Sequence, residues 1–283
     1  MKHCKKLLML GLSAALCLGL AACGNGGEDQ NTNTPAPSDS APVDSAPADT
    51  TPAGEAAPTT VEEGKLIMST NAAFPPYEMT DDAGNVVGID AEIAAAIAEK
   101  LGLELEIDDM DFDAAQLAVQ QGKSDICMAG LSVTEDRLLV MDFSDSYATG
   151  IQVVIVKEGS DVTLDNLGEQ LIGTQRATTG NIYCTDDYGE DHVVSYDDGI
   201  VAVQDLMNGK VDCVVIDQAP AQEFVAANPG LTILDTEYAN EDYAIGMAKG
   251  NTALVDAVNG ALNELIEDGT VQSIIDKYIP AEG

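Results

Sequence analysis

The sequence predicts an α/β protein of two lobes, each a mostly parallel sheet flanked by helices. Three observations carry that expectation. Strand-like and helix-like segments alternate from residue 65 to 128, and the alternation restarts near 171 and runs to 234. Two extended, β-rich segments, 150–157 and 242–249, bracket the second run. Alternation of this kind builds a parallel sheet with helices on its faces. An insertion between two extended crossovers makes the first lobe from two pieces of chain, with the crossovers as a hinge.

In order, a strand over 65–70 ends in Asn71-Ala72-Ala73-Phe74-Pro75-Pro76-Tyr77-Glu78, a proline- and aromatic-rich loop that continues neither sheet nor helix. After a polar turn over 81–85, Asp90 is placed to cap an amphipathic helix reaching Lys100 and closed by Gly102. A strand at 103–107, a helix at 112–121 and a strand at 125–128 complete the first alternation. The chain then turns through Gly130 and Ser132 into a short helix that Thr134 can cap, with Arg137 in its first turn.

Beyond the crossover at 150–157 come a short capped helix (163–167), a strand (171–174), a polar loop from Gln175 to Asn181 and a helix starting near 181. A strand at 192–195, a helix at 197–207 and an apolar strand at 211–216 follow. That strand ends at Asp217, which either caps the helix at 218–227 or faces the cleft. A strand at 231–234, the crossover at 242–249 and two helices, 252–267 and 270–278, finish the chain.

Ahead of the folded part, residues 1–22 carry a basic start (Lys2, Lys5, Lys6), an apolar run and small residues before Cys23, the pattern of a secretory signal. Leu20-Ala21-Ala22-Cys23 resembles the bacterial lipobox, which implies lipid on Cys23 and anchoring to the outer face of the cell membrane. Residues 23–63, rich in Pro, Ala, Ser, Thr and Asp, bury too little to offset chain entropy and are expected to form a disordered tether. Residues 64–149 with 241–283 then make lobe 1, and 150–240 lobe 2.

Formal charge is −37, which excludes nucleic acid as a partner and favours cationic small ligands over anionic ones. Cys127, Cys184 and Cys213 have no CxxC spacing and read as buried thiols. No metal-ligand spacing and no cofactor motif occurs, and His192 is the only histidine after the signal segment.

Open sheets bind ligands outside the carboxyl ends of their strands. There the sequence places Asn71 and Phe74, Asp111 and Phe112, and Gly130, Ser132 and Arg137. The chain has only two arginines, Arg137 and Arg176. A guanidinium beside a helix start suits a small carboxylate, through a bidentate fork and unpaired N–H donors.

From about 65 to 279 the chain resembles the polar-amino-acid-binding proteins of ABC importers. The resemblance is carried by 71–78, Gly88-Ile89-Asp90, Met110-Asp111-Phe112, Ala129-Gly130-Leu131-Ser132 with Arg137, Thr178-Thr179-Gly180 and 212–217. It implies the two-lobed periplasmic-binding-protein (type II, Venus flytrap) fold and a monomer that closes on a free amino acid and delivers it to an ABC permease. Arg137 would pair with the α-carboxylate, helped by N–H groups near Ser132 and Thr179. Asp217, the Gly130 carbonyl and the Ser132 hydroxyl would take the α-ammonium. Phe74 and Phe112 would sandwich the side chain, and Asn71, Glu78 and Arg176 would read its tip. Asn71 stands where some relatives have Asp and Arg176 where some have Lys. The paired aromatics, Glu78 and the acidic field favour a cationic side chain. Arg176, if it points into the pocket, favours glutamine, so a basic or an amide side chain is expected. Two alternatives are a dehydratase of arogenate-like acids, using Glu78, Asp111 or Asp217 as acid or base, and a lipoprotein presenting ligand to a sensor. No nucleophile–base pair is evident, so no enzyme is expected.

Overall fold

A computed structural model describes residues 58–235 and 237–280. The signal segment, Cys23 and most of the tether lie outside the described residues. The last part of the expected tether is held to the fold. The Val61 N–H donates to Asp125 Oδ1 at 2.7 Å and the Ile67 N–H to Asp125 Oδ2 at 2.8 Å, so one carboxylate staples residue 61 beside the first strand.

β1 (Lys65–Thr70) leads into a small antiparallel sheet of β2 (Ala73–Phe74), β3 (Glu78–Thr80) and β4 (Val86–Val87). Next are α1 (Ile89–Leu101), β5 (Glu104–Asp109), α2 (Phe112–Gln120), β6 (Ile126–Cys127) and α3 (Glu135–Val140). The long β7 (Met141–Lys157) crosses to the second lobe. A 3-10 turn (Leu164–Glu169) precedes β8 (Ile172–Gln175), α4 (Thr179–Tyr188), β9 (Val193–Tyr196) and α5 (Gly199–Met207). Then come β10 (Cys213–Asp217), α6 (Gln218–Ala227), β11 (Leu231–Ile233), β12 (Ala239–Ala248), α7 (Thr252–Glu267) and α8 (Thr270–Tyr278).

Nine strands form one continuous sheet ordered β5-β1-β6-β12-β7-β10-β8-β9, with β11 also on β7. Within each lobe the pairs β1–β5, β1–β6, β10–β8 and β8–β9 are parallel. β7 and β12 pair antiparallel with each other, with breaks in register at Tyr243/Ala244 and Ala244/Gly246. The extended crossovers expected from sequence are therefore the middle of the sheet, longer than the expected 150–157 and 242–249. β7 begins at Met141 because its polar first half is held by pairing with β12, a partner distant in sequence.

Alternation of side chains with period two gives β7 two buried faces. Val153 and Ile155 join a core with Ala202, Val203 and Leu206 of α5 and Ala221 and Phe224 of α6. Val154 and Val156 pack oppositely with Cys184, Cys213 and Val215. In the first lobe Ile89, Ile93 and Ile97 recur every four residues along α1 and meet Val258, Leu262 and Leu265 of α7. Cys127, Cys184 and Cys213 are buried and free, and burial pushes each thiol up to about 12.

Gly88, not Asp90, holds the cap position of α1. Asp90 lies within the first turn, fully buried, and accepts from the Gly130 N–H at 2.9 Å and the Tyr147 hydroxyl at 2.7 Å. The expected capping carboxylate is instead a brace under the Gly130 loop.

Candidate functional site

The carboxyl ends of β1, β6, β8 and β10 converge on a narrow cavity between the lobes. It is lined by Asn71, Phe74 and Glu78 from the first segments, Phe112 of α2, and Gly130, Ser132 and Arg137 after β6. From the second lobe come Gln175, Thr179 and Asp217. Of the ten candidates read from sequence, nine line it; Arg176 does not.

Arg137 is placed by its short helix: the Thr134 hydroxyl accepts from the Arg137 N–H at 3.2 Å, so the expected cap forms. Arg137 is 7% exposed, and its guanidinium carbon lies 5.5 Å from the centre of the Phe112 ring. Nη1 donates to the Ser132 carbonyl at 2.7 Å and Nη2 to the Ala177 carbonyl of the second lobe at 3.0 Å. Ala177 has φ +62°, a left-handed turn that aims its carbonyl back at the arginine. Among the described residues Arg137 makes no ion pair, and burial draws its pKa down. A buried cation met only by carbonyl dipoles remains able to take an anion.

Asp217 stands at the amino end of α6, yet its side chain makes no capping bond. It lines the cavity instead, and Oδ1 accepts from the Tyr243 hydroxyl. Burial pushes its carboxyl up to about 7, and the nearby Glu241 carboxylate pushes the same way. Glu78 is fully buried, and neither of its oxygens has a hydrogen-bond partner among the described residues. Its carboxyl is raised well above the usual range, first by desolvation and then by the charge of Asp90.

Phe74 rests directly on Gly130. A Cβ at Gly130 would fall 2.6 Å from Phe74 Cε1, and the residue has φ +52°, so both space and backbone require glycine. Asn71 reaches across the cleft: its Oδ1 accepts from Gln175 Nε2 at 2.9 Å and its Nδ2 donates to Asp198 Oδ1 at 3.3 Å.

Arg176 lies at the outer rim. Nε contacts Asp113 at 3.1 Å and Nη2 contacts Asp111 at 3.7 Å, both on the first lobe, while Nη1 contacts Asp197 of the second lobe at 2.6 Å. Strand alternation explains the outcome: Gln175 ends β8 facing the cavity, so its neighbour faces away. Gln175 was the residue to read from that loop, and the period of the strand was the signal. Glu241 and Gln152, in the two crossovers, were also missed. Both are buried, and Gln152 Nε2 donates to Glu241 Oε2 at 3.1 Å.

Comparisons place this architecture. A family model for bacterial extracellular solute-binding proteins, family 3, matches residues 66–281. The ABC transporter arginine-binding protein 1 of Escherichia coli (strain K12) is 30% identical over 221 residues, covering 76% of this chain and 91% of its own. The structure of the arginine-, lysine-, histidine-binding protein ArtJ from the thermophilic bacterium Geobacillus stearothermophilus has a TM-score of 0.73 at 32% identity, covering 77% of this chain and 96% of that one. An ancestral arginine-binding protein bound to glutamine has a TM-score of 0.73 at 37% identity, covering 77% and 99%. All three relatives are binding proteins, and the type II periplasmic-binding-protein fold is common to the structures. The chain therefore belongs to the bacterial extracellular solute-binding proteins, family 3, and is a binding protein rather than an enzyme.

Proposed function

We propose that the chain binds a free L-amino acid with a basic side chain between its lobes and delivers it to an ABC importer, tethered to the membrane through Cys23. The lobes are taken as 64–149 with 241–283, and 150–240. One observation carries the choice of side chain: Glu78, fully buried at the cavity wall, has two carboxylate oxygens without a partner among the described residues. A cationic side chain supplies what those oxygens lack, and Phe74 and Phe112 offer ring faces on its way. The orientation of Arg176 towards the rim acidic groups removes the cation that would oppose such a ligand.

In this reading Arg137, with N–H groups of the Ser132 loop and the start of α4, holds the α-carboxylate. Asp217, the Gly130 carbonyl and the Ser132 hydroxyl take the α-ammonium, and Asn71 and Glu78 meet the tip of the side chain. A zwitterion leaves water only when each charge is matched, and Arg137 and Asp217 stand on opposite lobes. The ligand thus favours the closed state by contacts that the open state cannot make.

An amide side chain is the second reading, favoured by the paired amides of Asn71 and Gln175 at the cavity wall. A thermal-shift panel of the common amino acids separates the two. Ligand at 100 times its dissociation constant adds about 2.7 kcal/mol. Arginine or lysine is expected to raise the midpoint most, glutamine less, and glutamate and aspartate not at all. A response to glutamine but not to arginine or lysine would reverse the order, and silence across the panel would end both readings.

A further inference from the structure

Behind the cavity wall, Glu241 lies in β12 where the lobes meet, 9% exposed. Its Oε2 accepts from Ser132 Oγ at 2.8 Å, from Thr179 Oγ1 at 2.9 Å and from Gln152 Nε2 at 3.1 Å. Ser132 follows β6 in the first lobe, Thr179 opens α4 in the second, and Gln152 belongs to β7. A single oxygen therefore gathers both lobes and a crossover. Ser132 and Thr179 line the cavity, whereas Glu241 stands behind them.

A hydroxyl owns one proton and two lone pairs, and an ionised carboxylate only accepts. Ser132 and Thr179 each spend their proton on Glu241, so neither retains one for a ligand. Towards the cavity both oxygens are acceptors. An ammonium brings three protons and is satisfied there. A carboxylate brings none, meets lone pairs and is turned towards Arg137. A hydroxyl in the ammonium's place brings one proton and leaves buried acceptors unmet, including Asp217.

We propose that Glu241 is a positioning residue that fixes the Ser132 and Thr179 hydroxyl protons away from the cavity, so that the Ser132 oxygen accepts from the α-ammonium, no hydroxyl proton opposes it, and an α-hydroxyl in its place is rejected. The inference rests on the amino-acid reading above and deepens it by naming what orients the zwitterion. The group acts through two other side chains and need not touch the ligand.

The test compares the full chain with its Glu241→Ala variant by titration calorimetry, using L-arginine and its α-hydroxy analogue. Alanine removes the shared acceptor, so both hydroxyl protons are free to turn towards the cavity. The wild-type preference for the amino form is expected to be roughly a hundredfold or more. In the variant it shrinks by about tenfold, mainly through weaker binding of arginine. Equal weakening of both ligands, with the ratio kept, is what a merely structural role gives and overturns the proposal. If the wild type ignores arginine, the basic-side-chain reading falls, and L-glutamine with its α-hydroxy analogue reads Glu241 instead. Wild type that binds neither amino acid ends the functional reading, and the proposal with it. Neutron diffraction from deuterium-exchanged wild-type crystals needs no variant. Deuterons on Ser132 Oγ and Thr179 Oγ1 pointing at Glu241 support the assignment, and either one pointing into the cavity refutes it.

Discussion

Arg137 holds a buried charge between two carbonyls, with no carboxylate of the described residues paired to it. If its partner is the ligand, truncation removes half of a buried pair, which costs roughly 3–5 kcal/mol. Arg137→Ala is expected to weaken amino-acid binding by about a hundredfold or more. Calorimetric affinities that differ by less than about tenfold would remove Arg137 from its proposed role. Gly130 gives a second expectation at this scale. Its φ of +52° and the 2.6 Å approach to Phe74 leave no place for a methyl group. Gly130→Ala should lower stability by about 1 kcal/mol or more and loosen binding, because Phe74 must leave the cavity wall. An unchanged denaturation midpoint and affinity would show that the ring yields at no cost.

At the scale of elements, the rim of the cleft is joined by Arg176 of the loop before α4, which reaches Asp113 on α2. These groups are more than a third exposed, so the contact adds little to folding. Its proposed consequence is kinetic: Arg176→Ala should leave the unfolding midpoint nearly unchanged but speed ligand release several-fold, and stopped-flow dissociation rates equal to wild type would discard the latch. The same elements show what a sequence can disclose. α6, α7 and α8 match their expected spans because their apolar spacing and the breaker Gly269 are local signals. β7 does not, since residues 141–149 look polar and become a strand only by pairing with β12. Among cavity residues, those at the ends of local motifs were legible: Asn71 after β1, Ser132 and Arg137 after β6, Asp217 at the end of β10. Gln175 was hidden by the more conspicuous arginine beside it. Glu241 was hidden because its partners, Ser132 and Thr179, lie on other elements far away in sequence.

For the whole molecule, the cavity floor gathers acids in a chain already at −37. Burial raises Asp217 to about 7 and Asp90 to about 6, and holds Glu78 well above the usual carboxyl range. Tyr77, Tyr147 and Tyr243 surround them, and Glu241 adds charge beside Asp217. A carboxyl raised on folding keeps its proton in the folded chain at a pH where the unfolded chain has lost it. Stability is therefore highest below the unfolded value and falls as pH climbs through the folded one. Surface acids shifted the other way, such as Asp81, Asp142 and Asp268, titrate below their ordinary 3.8 and are already ionised above it. Between about pH 5 and 7.5 the buried acids decide the slope, so the ligand-free chain should lose thermal stability across that range. A cationic ligand replaces those protons with its own charge. Binding should tighten as pH rises and should release protons, visible as heats that differ between buffers of unlike ionisation enthalpy at one pH. Glu78→Gln should remove part of that release. Heats independent of buffer, or a ligand-free midpoint that climbs from pH 5 to 7.5, would mean that the acids under the cavity are ionised before any ligand arrives, and a cation would then be drawn to a charge already present.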